Sequence, residues 1–588
     1  MPCFSPLPRT HHLAQSRSNS NYNNRSNNLF YMNKELSNYC LMLKDNLGYL
    51  CAFITIVIGI VVAALAVPFN IDSIYDEGYH YYSMQDALNG VINGGSQWAS
   101  LIAAIFPISI CSSVLYMRIL GLCVTLSAAL VFYLLTRNIA TSIREKLAYF
   151  VVVFLLILPS AGGIMICYNE TTQFFIIIAC ATLYRLCFDS NIYLKCIWAF
   201  LTGLLVSISF FSILPSAVII GGCFVLLVII RYCGNWKELS LYLLFGLIGI
   251  SLALLIVHLF VANLSDIYMA MQATAQHVTT LQRGYDPISF VIKIVLFLRD
   301  FAFCCFIIIG IYSVSKLISR KSKIVACLVY ICSILLYSHY QIKPNVTTPM
   351  IMSLLWLIPL LEHKEIAKKE RNIINFNYLF TLFLVFFPLL ASIGTNTYLG
   401  GKMSYFLVPW ALLLWQLDYV KSKYLFRNCG LIAISILLFL SSYSLFQTID
   451  YSQNRVPLGG FKGMYMNKTQ EEHFTKVDSV VSLYGFKRNE SVVFMTQLST
   501  VTTAYIEGIP CGNYFQPMDF VAYANDSISI PDFIFLCKYD EDVAGETLRN
   551  MNWGWPEEFD KHEIGTPDAG DFGYSTERWL YCRTKLKK

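Results

Sequence analysis

Residues 51–82 read CAFITIVIGIVVAALAVPFNIDSIYDEGYHYY. The stretch 51–71 holds no charged residue, and Asp72, Asp76 and Glu77 then follow within a few positions. About 20 apolar residues cover the ~30 Å of bilayer hydrocarbon. The run is therefore predicted to cross a membrane, and the acids to stand at the water boundary it reaches. The same apolar pattern recurs at residues 115–136, 147–167, 173–190, 194–213, 216–231, 240–262, 301–317, 323–339, 347–361, 376–392, 404–420 and 429–446. With 49–68 this makes about 13 predicted spans. Pro215 lies in so short a link that its two flanking segments are also compatible with one re-entrant pair. The whole chain of 588 residues is 56% hydrophobic and 14% charged, with a mean hydropathy of +0.54. One soluble core of this size cannot hide that much apolar surface, so lipid is expected to solvate most of it.

Charge gives a second, independent reading. With a cytoplasmic N-terminus, the predicted inner loops carry 18 Lys and Arg and the outer loops five, or six with Arg118 just inside the second span. That bias obeys the positive-inside rule throughout, and an odd number of spans then puts the C-terminus outside. From residue 451 onward the chain has 14 basic and 19 acidic residues, although the net charge overall is +6. An acidic tail after a basic membrane part does not fit a nucleic-acid binder. The expected organisation is a cytoplasmic polar segment at 1–48, partly disordered, and a transmembrane domain at 49–446 with a first outer loop at 69–114. An extracytoplasmic α/β domain would follow at 447–588. In that tail, strands are predicted at 491–496, 532–537 and 578–583, and helices near 471–484 and 541–552. The expected location is the cytoplasmic (inner) membrane, multi-pass, with the outer loops and tail on the far side. The 19 cysteines lie mostly inside apolar runs without metal-ligand spacing, so no metal site is read from them.

The chemistry-bearing residues concentrate in two outer regions. Asp72, Asp76, Glu77 and His80 follow the first span with no basic residue nearby in sequence. Judged by residue type alone they fit a site at the membrane boundary or the solvated start of a loop. Glu170 is the one charge in the short outer loop Tyr168-Asn169-Glu170-Thr171-Thr172. Basic residues on the outer face are few; besides Arg118 and Arg283 they include Arg299, Lys343 and Lys402. Any anion bound there, such as a phosphate, would draw on this small set, although headgroup snorkelling suits each of them equally.

Asp76-Glu77-Gly78-Tyr79-His80, after one span and before aromatic amphipathic segments, resembles the Asp-Glu motif of the GT-C glycosyltransferases. The match is closest to the lipid A aminoarabinose transferases and the protein O-mannosyltransferases. The 13-span layout with an outer soluble tail is similar to the aminoarabinose branch. The resemblance implies a polyprenyl-phosphate-linked sugar donor, a hydroxyl acceptor on a lipid, glycan or protein, and surrounding membrane lipids as partners. It also implies Asp76 as general base and Glu77 as the carboxylate that orients the acceptor, a divalent ion or its neighbour. His80 and Glu170 would contact substrate. A divalent metal is compatible with such a site, but no residue spacing indicates one. Gly401-Lys402-Met403-Ser404-Tyr405-Phe406-Leu407-Val408-Pro409 resembles the family's Arg-Tyr-x-x-x-Pro pattern, with Ser404 in the arginine's place. Lys402 is then the cation available beside Tyr405, with Arg299 and Lys343 as further candidates for the leaving phosphate. Alternative readings are a transporter or flippase of lipid-linked glycans, for which no internal repeat is seen, and an oligosaccharide ligase or polymerase.

Overall fold

The computed structural model describes residues 47–586 apart from 70, 72–75, 91–96, 107–111, 162–164, 270–271, 273–286, 342–375, 394–398, 417–424, 496–498, 512–529, 538–540, 542–544, 547, 552 and 566–577. Apolar runs become helices because lipid offers the backbone no hydrogen-bond partner, so each segment must satisfy its own. Helix α1, Leu47–Ala66, leads to two short helices, α2 (Asp76–Leu88) and α3 (Gln97–Ile105). Then come α4 (Val114–Thr136), α5 (Ile143–Ile157), α6 (Tyr168–Phe188), α7 (Ile192–Phe210), α8 (Leu214–Tyr232) and α9 (Trp236–Phe260). The bundle continues with α10 (Pro287–Ser319), α11 (Lys323–Gln341), α12 (Phe376–Ala391), α13 (Leu399–Met403), α14 (Trp410–Gln416) and α15 (Leu425–Gln447).

Eight of these are long and apolar enough to cross a membrane among the described residues, namely α1, α4, α6 to α10 and α15. The sequence reading has about 13; α5 has 15 residues and α12 has 16, α11 has 19 residues of which several side chains lie outside the described set, and 347–361 lies outside the described residues. α7 and α8 are separate helices joined through residues 211–213, and each is long and apolar enough to cross a membrane. Residues 404–420, read as one span, begin with a break. A 3-10 turn at Ser404–Phe406 follows α13, and helix resumes only at Trp410. Pro409 has no N–H and disfavours helical backbone at the residue before it, whereas apolar composition alone does not register the interruption. The break leaves the Tyr405 carbonyl to be satisfied from elsewhere. Gln173 of α6, fully buried, donates from Nε2 to that carbonyl and to Ser160 Oγ, both at 2.8 Å. Its Oε1 accepts from Thr125 Oγ1 of α4 at 3.3 Å.

The last part of the chain is a five-stranded sheet with helices. Strands β3 (Val492–Met495), β4 (Ile509–Pro510), β5 (Phe533–Cys537), β6 (Phe559–Glu563) and β7 (Arg578–Arg583) stand in the order β4-β3-β5-β7-β6. β3 is parallel to both neighbours, and β7 is antiparallel to β5 and β6. A small ladder of β1 (Asn454–Arg455) and β2 (Tyr465–Met466) precedes α16, Lys468–Leu483. α17, Thr500–Ile506, follows β3. The chain is thus a polytopic α-helical membrane protein carrying a small C-terminal α/β unit.

The sheet unit sits on one end of the bundle. The Phe69 ring at the end of α1 stacks on Tyr465 with centroids 4.4 Å apart. Val114 N, opening α4, donates to Gly460 O at 2.9 Å. Tyr82, Met84 and Trp98 from α2 and α3 are buried in the same apolar cluster as Phe474, Val501 and Tyr505. Gly78 packs so tightly on α17 that a Cβ there would lie 2.4 Å from the Thr500 backbone. Tyr82 Oη donates to Gly508 O at 3.0 Å.

Candidate active site

α2 carries the Asp-Glu motif at its start. Asp76 is its first residue, four positions ahead of His80. Glu77 is buried in an ion pair with Arg118 of α4, Nη2 to Oε1 at 2.5 Å. The same guanidinium donates to the Val67 and Phe69 carbonyls, in the turn that follows α1. One arginine therefore ties together the exit of α1, the start of α2 and the start of α4. The sequence signal for it is a cation inside an apolar run, which needs a buried partner; counting it as an outer-face charge missed that partner.

His80 is 4% exposed, with its ring edge-on to Trp98 at 5.2 Å and to Tyr168 at 5.8 Å. Burial, and then the nearby Lys402 charge, pushes its pKa from 6.5 down to about 3, so the imidazole is neutral.

The N-terminus of α6 supplies the opposite wall. Glu170 is 1% exposed and closes a capping box: its Oε2 accepts from Cys167 N at 2.9 Å, while Cys167 Sγ accepts from Asn169 N. Lys402 reaches this wall from α13. Its Nζ lies 3.0 Å from Asn169 Oδ1, 5.3 Å from the Tyr168 ring centroid and 5.8 Å from that of Tyr405. Tyr405 is buried in the helix break, and its phenol lies within electrostatic reach of Glu170. The ammonium is held by two aromatic faces and an amide oxygen, with no carboxylate bonded to it among the described residues. Tyr168, Asn169 and Gln173 belong to this assembly. Sequence reading could not single them out, because their partners lie more than two hundred positions away.

His80, Glu170, Lys402 and Tyr405 thus come together. Arg299 does not join them: it sits on α10 with its side chain 68% exposed, hydrogen-bonded to the adjacent Asp300 at 2.8 Å. Lys343 lies outside the described residues. Among the described residues no group of three His, Cys, Asp or Glu is placed to hold a metal ion.

No family model and no curated protein matches the chain. Solved structures with a similar arrangement include an oligosaccharyltransferase from Archaeoglobus fulgidus in complex with Zn and sulfate, with TM-score 0.41 and 14% identity over 88% of this chain and 73% of that one. They also include ArnT from Cupriavidus metallidurans in the apo state, with TM-score 0.43 and 10% identity over 91% and 98%. The same ArnT bound to undecaprenyl phosphate gives TM-score 0.40 and 10% identity over 92% and 98%.

Proposed function

We propose that this protein is a membrane glycosyltransferase that moves a sugar from a polyprenyl-phosphate carrier to a hydroxyl acceptor at the extracytoplasmic face of the cytoplasmic membrane. The observation that carries the reading is Lys402. A cation without a bonded carboxylate among the described residues is presented at a helix break, against the N-terminus of α6, at the same end of the bundle as the start of α2. A leaving phosphate needs a point charge there, and the electrostatics of a water-poor site strengthen it.

In the reaction, the acceptor oxygen attacks the anomeric carbon and its proton passes to the Asp76 carboxylate. The bond from the anomeric carbon to the phosphate oxygen breaks, and the phosphate leaves with the electron pair. It departs as a stable anion, so no general acid is required, unlike the two-carboxylate scheme of glycosidases. A positioned base contributes roughly 10²–10⁴-fold. Glu77 acts through Arg118 to fix the start of α2, and Asn169 and Tyr168 orient Lys402. The test is Asp76→Asn, with transfer from a radiolabelled polyprenyl-phosphate sugar measured on purified protein. Activity should fall by at least roughly 10²-fold with the melting temperature unchanged; a fully active variant removes Asp76 as the base.

The break at residues 404–409 also favours a second reading, because discontinuous helices mark transporters of lipid-linked substrates. Detergent solution separates the two, since transfer chemistry survives there and transport has no meaning.

A further inference from the structure

Four buried polar atoms on three adjoining helices have no hydrogen-bond partner among the described residues. They are His80 Nδ1 and Ser83 Oγ on α2, Trp98 Nε1 on α3 and Thr172 Oγ1 on α6. Each residue is at most 4% exposed. Two of these residues, His80 and Trp98, meet Tyr168 in a cluster of three rings: His80 and Trp98 at 5.2 Å, His80 and Tyr168 at 5.8 Å, Trp98 and Tyr168 at 6.3 Å. Ser83 follows His80 by three positions and Thr172 follows Tyr168 by four, so each pair shares a helix face. Native interiors pair nearly all such groups, and a cluster of exceptions beside a site points to a bound partner.

The donor and acceptor inventory says what kind. Trp98 N–H only donates, the Ser83 and Thr172 hydroxyls do both, and a neutral imidazole offers one donor and one acceptor. An ammonium group brings donors alone and would face the Lys402 charge. A carboxylate brings acceptors alone and would leave lone pairs unmatched. A hydroxyl presents both roles on one atom, and the C–H faces of a polyol ring suit the aromatic walls. We propose that this junction binds the transferred sugar through its hydroxyls and selects an uncharged sugar over an amino or acidic one. The proposal rests on the preceding reading of Lys402 as the phosphate's partner and deepens it.

The full-length protein in lipid nanodiscs is titrated with three probes: a bare polyprenyl phosphate, the same carrier bearing an uncharged hexose, and the carrier bearing an amino sugar. The hexose carrier is expected to bind more tightly than the other two. Trp98→Phe and the isosteric Thr172→Val should each weaken the hexose carrier roughly tenfold and leave the bare phosphate unchanged. Lys402→Ala should weaken all three. Variants that keep the full hexose preference, or an amino sugar bound as tightly as the hexose, overturn the sugar junction while the carrier reading stands. If the wild type binds none of the three, both readings fall.

Discussion

Glu77 and Arg118 form a buried ion pair in which each side chain is almost sealed from solvent, at 7% and 5% exposure. Two charges taken out of water are tolerable only as a pair, and removing one leaves the other uncompensated at a cost of about 3–5 kcal/mol. Glu77→Gln and Arg118→Met should therefore each lower the melting temperature sharply in detergent. The double variant should recover much of that loss, since an apolar replacement leaves no orphaned charge. A Glu77→Gln variant as stable as the parent would show that the guanidinium finds enough in the Val67 and Phe69 carbonyls alone. The Asp-Glu motif is legible in the sequence because the acids follow an apolar run directly. The arginine that answers them is not, since it stands 41 positions later inside another apolar run.

Among the elements, α16 is tied to two neighbours by one histidine. His473 Nδ1 meets the Ile564 carbonyl at 3.0 Å, and Nε2 meets Thr502 Oγ1 of α17 at 2.9 Å. A carbonyl only accepts, so Nδ1 carries the proton and Nε2 accepts from the hydroxyl. Burial first, then the Arg578 charge, pushes this imidazole from 6.5 down to about 3. The unfolded chain therefore binds a proton that the folded one refuses between roughly pH 6.5 and 3. Stability present at neutral pH should be lost as pH falls through that window, by up to ~1.4 kcal/mol per pH unit. His80 adds to the slope with the same sign. Melting curves between pH 7 and 4 should fall less steeply for His473→Gln than for the parent; equal slopes would show that His473 is protonated in the folded state. The strands around these helices are unevenly readable. β3, β5 and β7 are apolar and evident, whereas β6 reads Phe-Asp-Lys-His-Glu and resembles a charged loop until it lies at the sheet edge.

For the whole molecule, the two ends of the bundle differ in chemistry. The end away from the sheet unit is laced by cations on helix C-termini: Arg231 of α8 donates to Cys187 O at 3.2 Å, and Arg185 pairs with Asp189 at 2.8 Å. In the proposed orientation, which follows the positive-inside rule, this end faces the cytoplasm. In intact cells expressing a cysteine-free background, Lys468→Cys in the exposed start of α16 should react with an impermeant maleimide. Lys237→Cys, at the other end, should react only after permeabilisation. The reverse pattern would invert the orientation and move the proposed site inside. The helices are legible because hydropathy is a local signal. The seating of the sheet unit on α2 is not, because pairing across about four hundred positions leaves no trace in a local window.

That seating has a consequence for how the protein is made. Gly78 is synthesised early, but the Thr500 backbone against which it packs emerges more than four hundred residues later. At 5–20 residues per second the interval is roughly 20–80 s of translation. Throughout it, the helix that opens with Asp76 is without the surface that finally fixes it. Maturation thus follows an order set by the ribosome, in which the motif encoded nearly first is completed nearly last.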